Sequence, residues 1–119
     1  MTRRTVVIVE DEALIALDLQ YQCEDLGYHV LDVAASEAQA HERFAGLEPD
    51  VLLTDMDLAG ASNGVDVAVR IQKSCPGIAV IFITATTCPR KLERIRAIDP
   101  YRVLRKPIRT AELSAALPD

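Results

Sequence analysis

Val51-Leu52-Leu53-Thr54-Asp55 is an apolar run that ends in a carboxylate, the pattern of a buried strand delivering an acid to the rim of a sheet. Three other segments end the same way. Val6 to Val9 runs into Glu10-Asp11, Val80 to Ile83 into Thr84, and Val103-Leu104 into Arg105-Lys106. If these strands are parallel neighbours, an acid pair, a lone acid, a hydroxyl and an amine converge on one edge. Open α/β sheets place their sites at that edge.

On either side of this run, strand-like and helix-like segments alternate five times, with no long linker between them. That alternation predicts a parallel sheet with helices on both faces. Strands are expected at residues 5–9, 29–33, 51–55, 79–83 and 102–104. The second, short and carrying His29 and Asp32, is expected at an edge. Helices are expected at 12–26, 36–47, 65–73, 90–98 and 110–117. In the first, Leu14, Ile15, Leu19, Cys23 and Leu26 are read as the buried stripe, and Gly27 as the stop. Ser36 is a natural N-cap for the second, and residues 57–64, rich in turn formers, read as a surface loop.

The bulk numbers set limits. The chain has 119 residues, half of them apolar, which suits one domain spanning 1–119 with no effector domain. No apolar stretch approaches the roughly 20 residues that cross a bilayer, and the N-terminal apolar run is too short for a secretory signal. Cys23, Cys75 and Cys88 share no metal-binding spacing and read as reduced, mostly packed thiols of a cytoplasmic protein. The net charge of −5 argues against nonspecific nucleic-acid binding. Acids dominate up to Asp66, whereas Arg90, Lys91, Arg94, Arg96, Arg102, Arg105, Lys106 and Arg109 crowd into a later stretch.

A hard cation such as Mg2+ takes oxygen ligands, commonly one or two carboxylates plus waters and phosphate oxygens. Glu10, Asp11 and Asp55 supply such carboxylates, and the backbone carbonyl of Asp57 a further oxygen. Three acids packed together repel one another, so a cation there relieves a cost. Lys106 can neutralise part of that charge, and Thr84 can donate to a phosphoryl oxygen.

This set of residues resembles the receiver domains of two-component response regulators. The resemblance runs from Val6-Val7-Ile8-Val9-Glu10-Asp11-Glu12 through Leu52-Leu53-Thr54-Asp55 and Ile83-Thr84-Ala85 to Leu104-Arg105-Lys106-Pro107-Ile108. It implies a flavodoxin-like, doubly wound five-stranded parallel sheet of order 2-1-3-4-5 with five helices. It implies that Asp55 takes a phosphoryl group from a sensor histidine kinase or histidine phosphotransfer protein. Asp11 and Asp55 would then ligate Mg2+ directly, Glu10 mainly through water, and the Asp57 carbonyl would complete the protein ligands. Thr84 would bind the phosphoryl group, Lys106 would pair with it, and Ala85 would leave the gap through which it enters. The Asp57 and Thr86 side chains would border the path of the hydrolytic water.

Two departures stand out. Where the family often carries an aromatic three residues before the Lys, this chain has Val103, and the nearest ring is Tyr101, which strand alternation puts on the same face. Tyr101 either replaces that switch or covers the sheet edge. The loop after Asp55 lacks the family's proline and is expected to be more mobile.

The leading expectation is therefore a cytoplasmic, non-enzymatic phosphorylation switch. Its output would be binding of an unknown downstream protein through the basic region 86–109, with a phosphorylation-dependent homodimer as a further partner. The alternative is the receiver module of a larger DNA-binding regulator. Asp55-Met56-Asp57 with Thr84 and Lys106 also resembles the haloacid-dehalogenase phosphatase series, but only Glu112 and Asp119 follow Lys106 as acids.

Overall fold

The computed structural model describes residues 4–58 and 63–118. Five strands, β1 (Thr5–Val9), β2 (His29–Ala34), β3 (Val51–Thr54), β4 (Ala79–Thr84) and β5 (Arg102–Arg105), form one parallel sheet in the order β2-β1-β3-β4-β5. Five helices alternate with them: α1 (Ala13–Asp25), α2 (Glu37–Arg43), α3 (Gly64–Ser74), α4 (Pro89–Ala97) and α5 (Thr110–Ala116). The order is the one implied by the resemblance, and β2 is indeed an edge.

Because successive strand residues point to opposite faces, β1 feeds two cores. Val6 and Ile8 join Leu53, Ile81 and Ile83 under α1 and α5, where Leu19, Cys23 and Leu113 meet them. Val7 and Val9 join Leu52, Val80 and Phe82 under α2, α3 and α4, where Phe44, Val67, Ala68 and Ile95 meet them. Central strands buried on both faces explain why their sequence reads as continuous apolar runs rather than alternation.

The expected boundaries shift in a few places. Leu14 is not part of the buried stripe of α1: it is 82% exposed, and Ala16 is buried with Leu19 and Cys23. Helical geometry explains this, since Ala16 precedes Leu19 by three residues and shares its face, while Leu14 precedes it by five and does not. α1 then ends in a paired cap, with Tyr28 N–H donating to the Cys23 carbonyl and Gly27 N–H to that of Glu24. Gly27 sits at φ +89, the left-handed geometry that such a cap demands.

α2 stops at Arg43 instead of running to 47. Gly46 adopts φ +80, and Phe44 and Leu47 reach the core from the turn rather than from a further helical turn. Ser36 caps α2 as expected, accepting from Gln39 N–H at 3.2 Å. Gly64, read as loop, opens α3 behind an Asn63 cap that accepts from Asp66 N–H at 3.0 Å. Thr84 and Arg105 belong to their strands. Of the three thiols, only Cys23 is buried; Cys75 is partly so and Cys88 is exposed, so the packed reading fails for Cys88. The expectation of a mobile loop over residues 57–64 falls mainly on 59–62, which lie outside the described residues.

Candidate functional site

The register of the sheet assembles the site. β1 pairs with β3, placing Val9 beside Thr54, so Glu10-Asp11 and Asp55 leave neighbouring strands at the same end. Asp55 N–H donates to the Val9 carbonyl at 3.1 Å, and Glu10 N–H to that of Ala34 at 2.9 Å. On the other side, β4 pairs with β5 so that Thr84 stands beside Arg105, and Lys106 N–H donates to the Thr84 carbonyl at 3.0 Å. Lys106 precedes a cis peptide bond to Pro107.

One oxygen from each of Glu10, Asp11 and Asp55 lies within 4.8 Å of the others. Glu10 and Asp55 are buried, at 3% and 8% exposed, and Asp11 is open to solvent. The Lys106 ammonium donates to Glu10 Oε1 at 2.6 Å and to Asp55 Oδ2 at 2.9 Å. Burial raises the Glu10 pKa above the ordinary carboxylate value, opposed by its bonds to Lys106 and to Glu12 N–H. Burial pulls the Lys106 pKa down, yet its bonds to Glu10 and Asp55 outweigh that and leave it raised. By count the cluster holds three carboxyl groups against one ammonium. Three hard oxygen donors, one of them solvent-facing, fit a divalent cation.

Thr84 is fully buried at the end of β4, and its Oγ1 accepts from Thr86 N–H at 3.1 Å. Ala85 is exposed between them. Arg105 donates to the Thr86 carbonyl at 3.0 Å. Asp57 turns its N–H toward Asp55 Oδ1, at 3.4 Å, and its side chain toward Lys91 of α4, whose ammonium lies 2.5 Å from Asp57 Oδ1.

Tyr101 and Val103 stand apart from this cluster. Tyr101 N–H donates to the Val80 carbonyl, four residues before Thr84 along β4, and Arg102 lies 4.6 Å over its ring. Val103 pairs with Phe82 and is 39% exposed.

Two residues of the site escaped the sequence reading. A Cβ on Gly64 would lie 1.9 Å from the Asp55 carbonyl oxygen, so only glycine lets α3 begin this close to the acid. Asn63-Gly64 signalled a turn; the close approach has no signal of its own. Lys91 is one basic residue among many in the sequence, and its tie to Asp57 spans 34 positions.

The response regulator receiver domain model matches residues 6–118, nearly the whole chain. The chain belongs to that family. Among curated proteins it is 34% identical over 113 residues to the phyllosphere-induced regulator PhyR of Methylorubrum extorquens, covering 94% of this chain and 41% of PhyR. It is 29% identical to the transcriptional regulatory protein PdtaR of Mycobacterium tuberculosis, covering 96% and 55%. The chain thus spans about half, or less, of these relatives. Among solved structures, it resembles the receiver domain of a modulated diguanylate cyclase from Desulfovibrio desulfuricans G20. That match has a TM-score of 0.89 at 35% identity, over 97% of this chain and 90% of that one. The receiver domain of Erythrobacter litoralis PhyR matches with a TM-score of 0.86 at 32% identity, over 98% and 88%. Receiver domains of response regulators are signalling switches served by histidine kinases or phosphotransfer proteins. Among the described residues no helix is long and apolar enough to cross a membrane.

Proposed function

We propose that Asp55 is the phosphoacceptor, with Glu10, Asp11, Asp55 and the Asp57 carbonyl holding Mg2+. The observation that carries this reading is the Asp55 carboxylate itself, bonded to Lys106 on one side and grouped with two further acids on the other. In transfer, an Asp55 oxygen bonds to phosphorus and the phosphorus–nitrogen bond of a phosphohistidine breaks. The imidazole leaves with that electron pair and takes a proton. Bound Mg2+ would neutralise charge on the phosphoryl oxygens. Lys106 follows the charge from the Asp55 carboxylate to the phosphoryl group. The Thr84 hydroxyl, already accepting from Thr86 N–H, keeps its own proton to donate to a phosphoryl oxygen.

The output runs through the region 86–109. A Thr84 hydroxyl drawn toward the phosphoryl group disturbs its bond to Thr86, and the Thr86 carbonyl is held by Arg105 on the exposed edge strand. Tyr101, stacked with Arg102 toward the far end of β5, covers the sheet edge and takes no part in this link. The exposed arginines favour a downstream protein with an acidic docking surface, reached in the cytoplasm. The same switch serves a stand-alone regulator or a module of a larger DNA-binding regulator; coding sequence downstream of Asp119 separates the two.

The test is uptake of one phosphoryl group from acetyl phosphate, read by intact mass with and without Mg2+. Uptake by wild type that requires Mg2+ and disappears in Asp55→Asn supports the reading. Equal uptake by Asp55→Asn contradicts it.

A further inference from the structure

Asp57 uses its main chain and its side chain on different partners. Its N–H faces Asp55 Oδ1, while its carboxylate is drawn to the Lys91 ammonium at 2.5 Å. Lys91 and Asp57 side chains are 44% and 54% exposed, so burial does not hold the pair. Exposed pairs contribute little to fold stability. The consequence of the pair is local, since it engages the Asp57 carboxylate in a charge-assisted bond. Lys91 lies in the first turn of α4 and Asp57 just beyond β3, so the contact also ties that helix to the loop leaving the acid cluster.

The chemistry beside Asp57 gives that position a consequence. When an aspartyl phosphate hydrolyses, a water oxygen bonds to phosphorus and the bond from phosphorus to the Asp55 oxygen breaks. The electron pair stays on the Asp55 carboxylate, and the proton released goes to solvent. A carboxylate that accepts a hydrogen bond from the water assists this step as a general base. One already engaged in a charge-assisted bond to an ammonium is a poorer acceptor.

Resting on the reading of Asp55 as phosphoacceptor, we propose that Lys91 is a positioning residue that clamps the Asp57 carboxylate away from the attacking water. The clamp prolongs the phosphorylated state.

The experiment loads wild type, Lys91→Met, Lys91→Arg, Asp57→Ala and the double variant Lys91→Met/Asp57→Ala from acetyl phosphate at saturating Mg2+. The donor is then removed and loss of the phosphoryl mass followed in time. Lys91→Met should decay at least about threefold faster than wild type, a small fraction of what a positioned general base supplies. Lys91→Arg should stay near the wild-type rate, and the double variant should decay as Asp57→Ala does. Decay of Lys91→Met at or below the wild-type rate overturns the proposal and leaves Asp55 as phosphoacceptor. The same acceleration in the Asp57→Ala background also overturns it, because Lys91 would then act without Asp57. A wild type that takes up no phosphoryl group overturns both readings.

Discussion

The acid cluster and the α4–β5 corner are both charged, but they are built in different ways. At the ends of β1 and β3, two buried carboxylates share one ammonium, so each charge depends on the others. On α4 and β5 the cations are exposed and mostly hold separate partners: Arg94 on Asp66, Arg102 over Tyr101, Arg105 on the Thr86 carbonyl. Buried charges left unpaired are costly, whereas exposed ones are screened and individually weak. The contrast separates a region whose geometry is fixed by mutual pairing from one whose charge is spread over exposed side chains.

Removing the shared ammonium should break the first region hardest. Lys106→Met strands Glu10 and Asp55, and should lower the metal-free unfolding free energy by about 3 kcal/mol in a denaturant titration. Mg2+ should recover part of that loss by binding the folded acids. A wild-type midpoint would show that the cluster does not depend on Lys106.

Gly64→Ala tests the same region from behind. The new Cβ must displace Asp55 backbone, not a flexible side chain. A cost of about 2 kcal/mol is expected, within the range of overpacking, with slower phosphoryl uptake. Normal stability and uptake would mean that α3 can move away freely.

A smaller effect concerns pH. The folded protein holds the Glu10 proton more tightly than the unfolded chain does, since burial raises its pKa above 4.5. This group's contribution is therefore greatest at low pH and falls as pH rises from 4.5 through the folded value. In Glu10→Gln that part of the slope should vanish from unfolding free energies measured across this window without metal. An unchanged slope would assign the dependence to other groups.

At the other region, the exposed charges should matter least to stability. Reversal of Arg94 and Arg102 together should leave stability near wild type and slow association with an acidic partner, an effect that shrinks as salt rises. Association rates unaffected at low salt would remove the basic corner from recognition.

These regions also differ in how far they could be read in advance. The sheet and the acid cluster are legible because β1, β3 and β4 are continuous apolar runs that lead straight into polar side chains, as at Leu53-Thr54-Asp55 and Ile83-Thr84. Parallel pairing then brings those ends together without further information. Leu14 has the apolar character of the buried stripe but not its helical angle, and Phe44 and Leu47 extend the apolar pattern of α2 although they reach the core from a turn. Gly64 and Lys91 were missed for a different reason. Their roles are contacts with residues distant in sequence or with backbone, and composition carries no trace of either.

Of the carboxylates in the cluster, the proposal assigns the phosphoryl group to Asp55 alone. Borohydride reduces an aspartyl phosphate to homoserine, so reduction of the phosphorylated protein followed by peptide mass spectrometry marks the acceptor. Homoserine is expected at position 55 and nowhere else. Modification at Asp11 or Asp57, or an unmodified Asp55 in protein that carries the added mass, would contradict it.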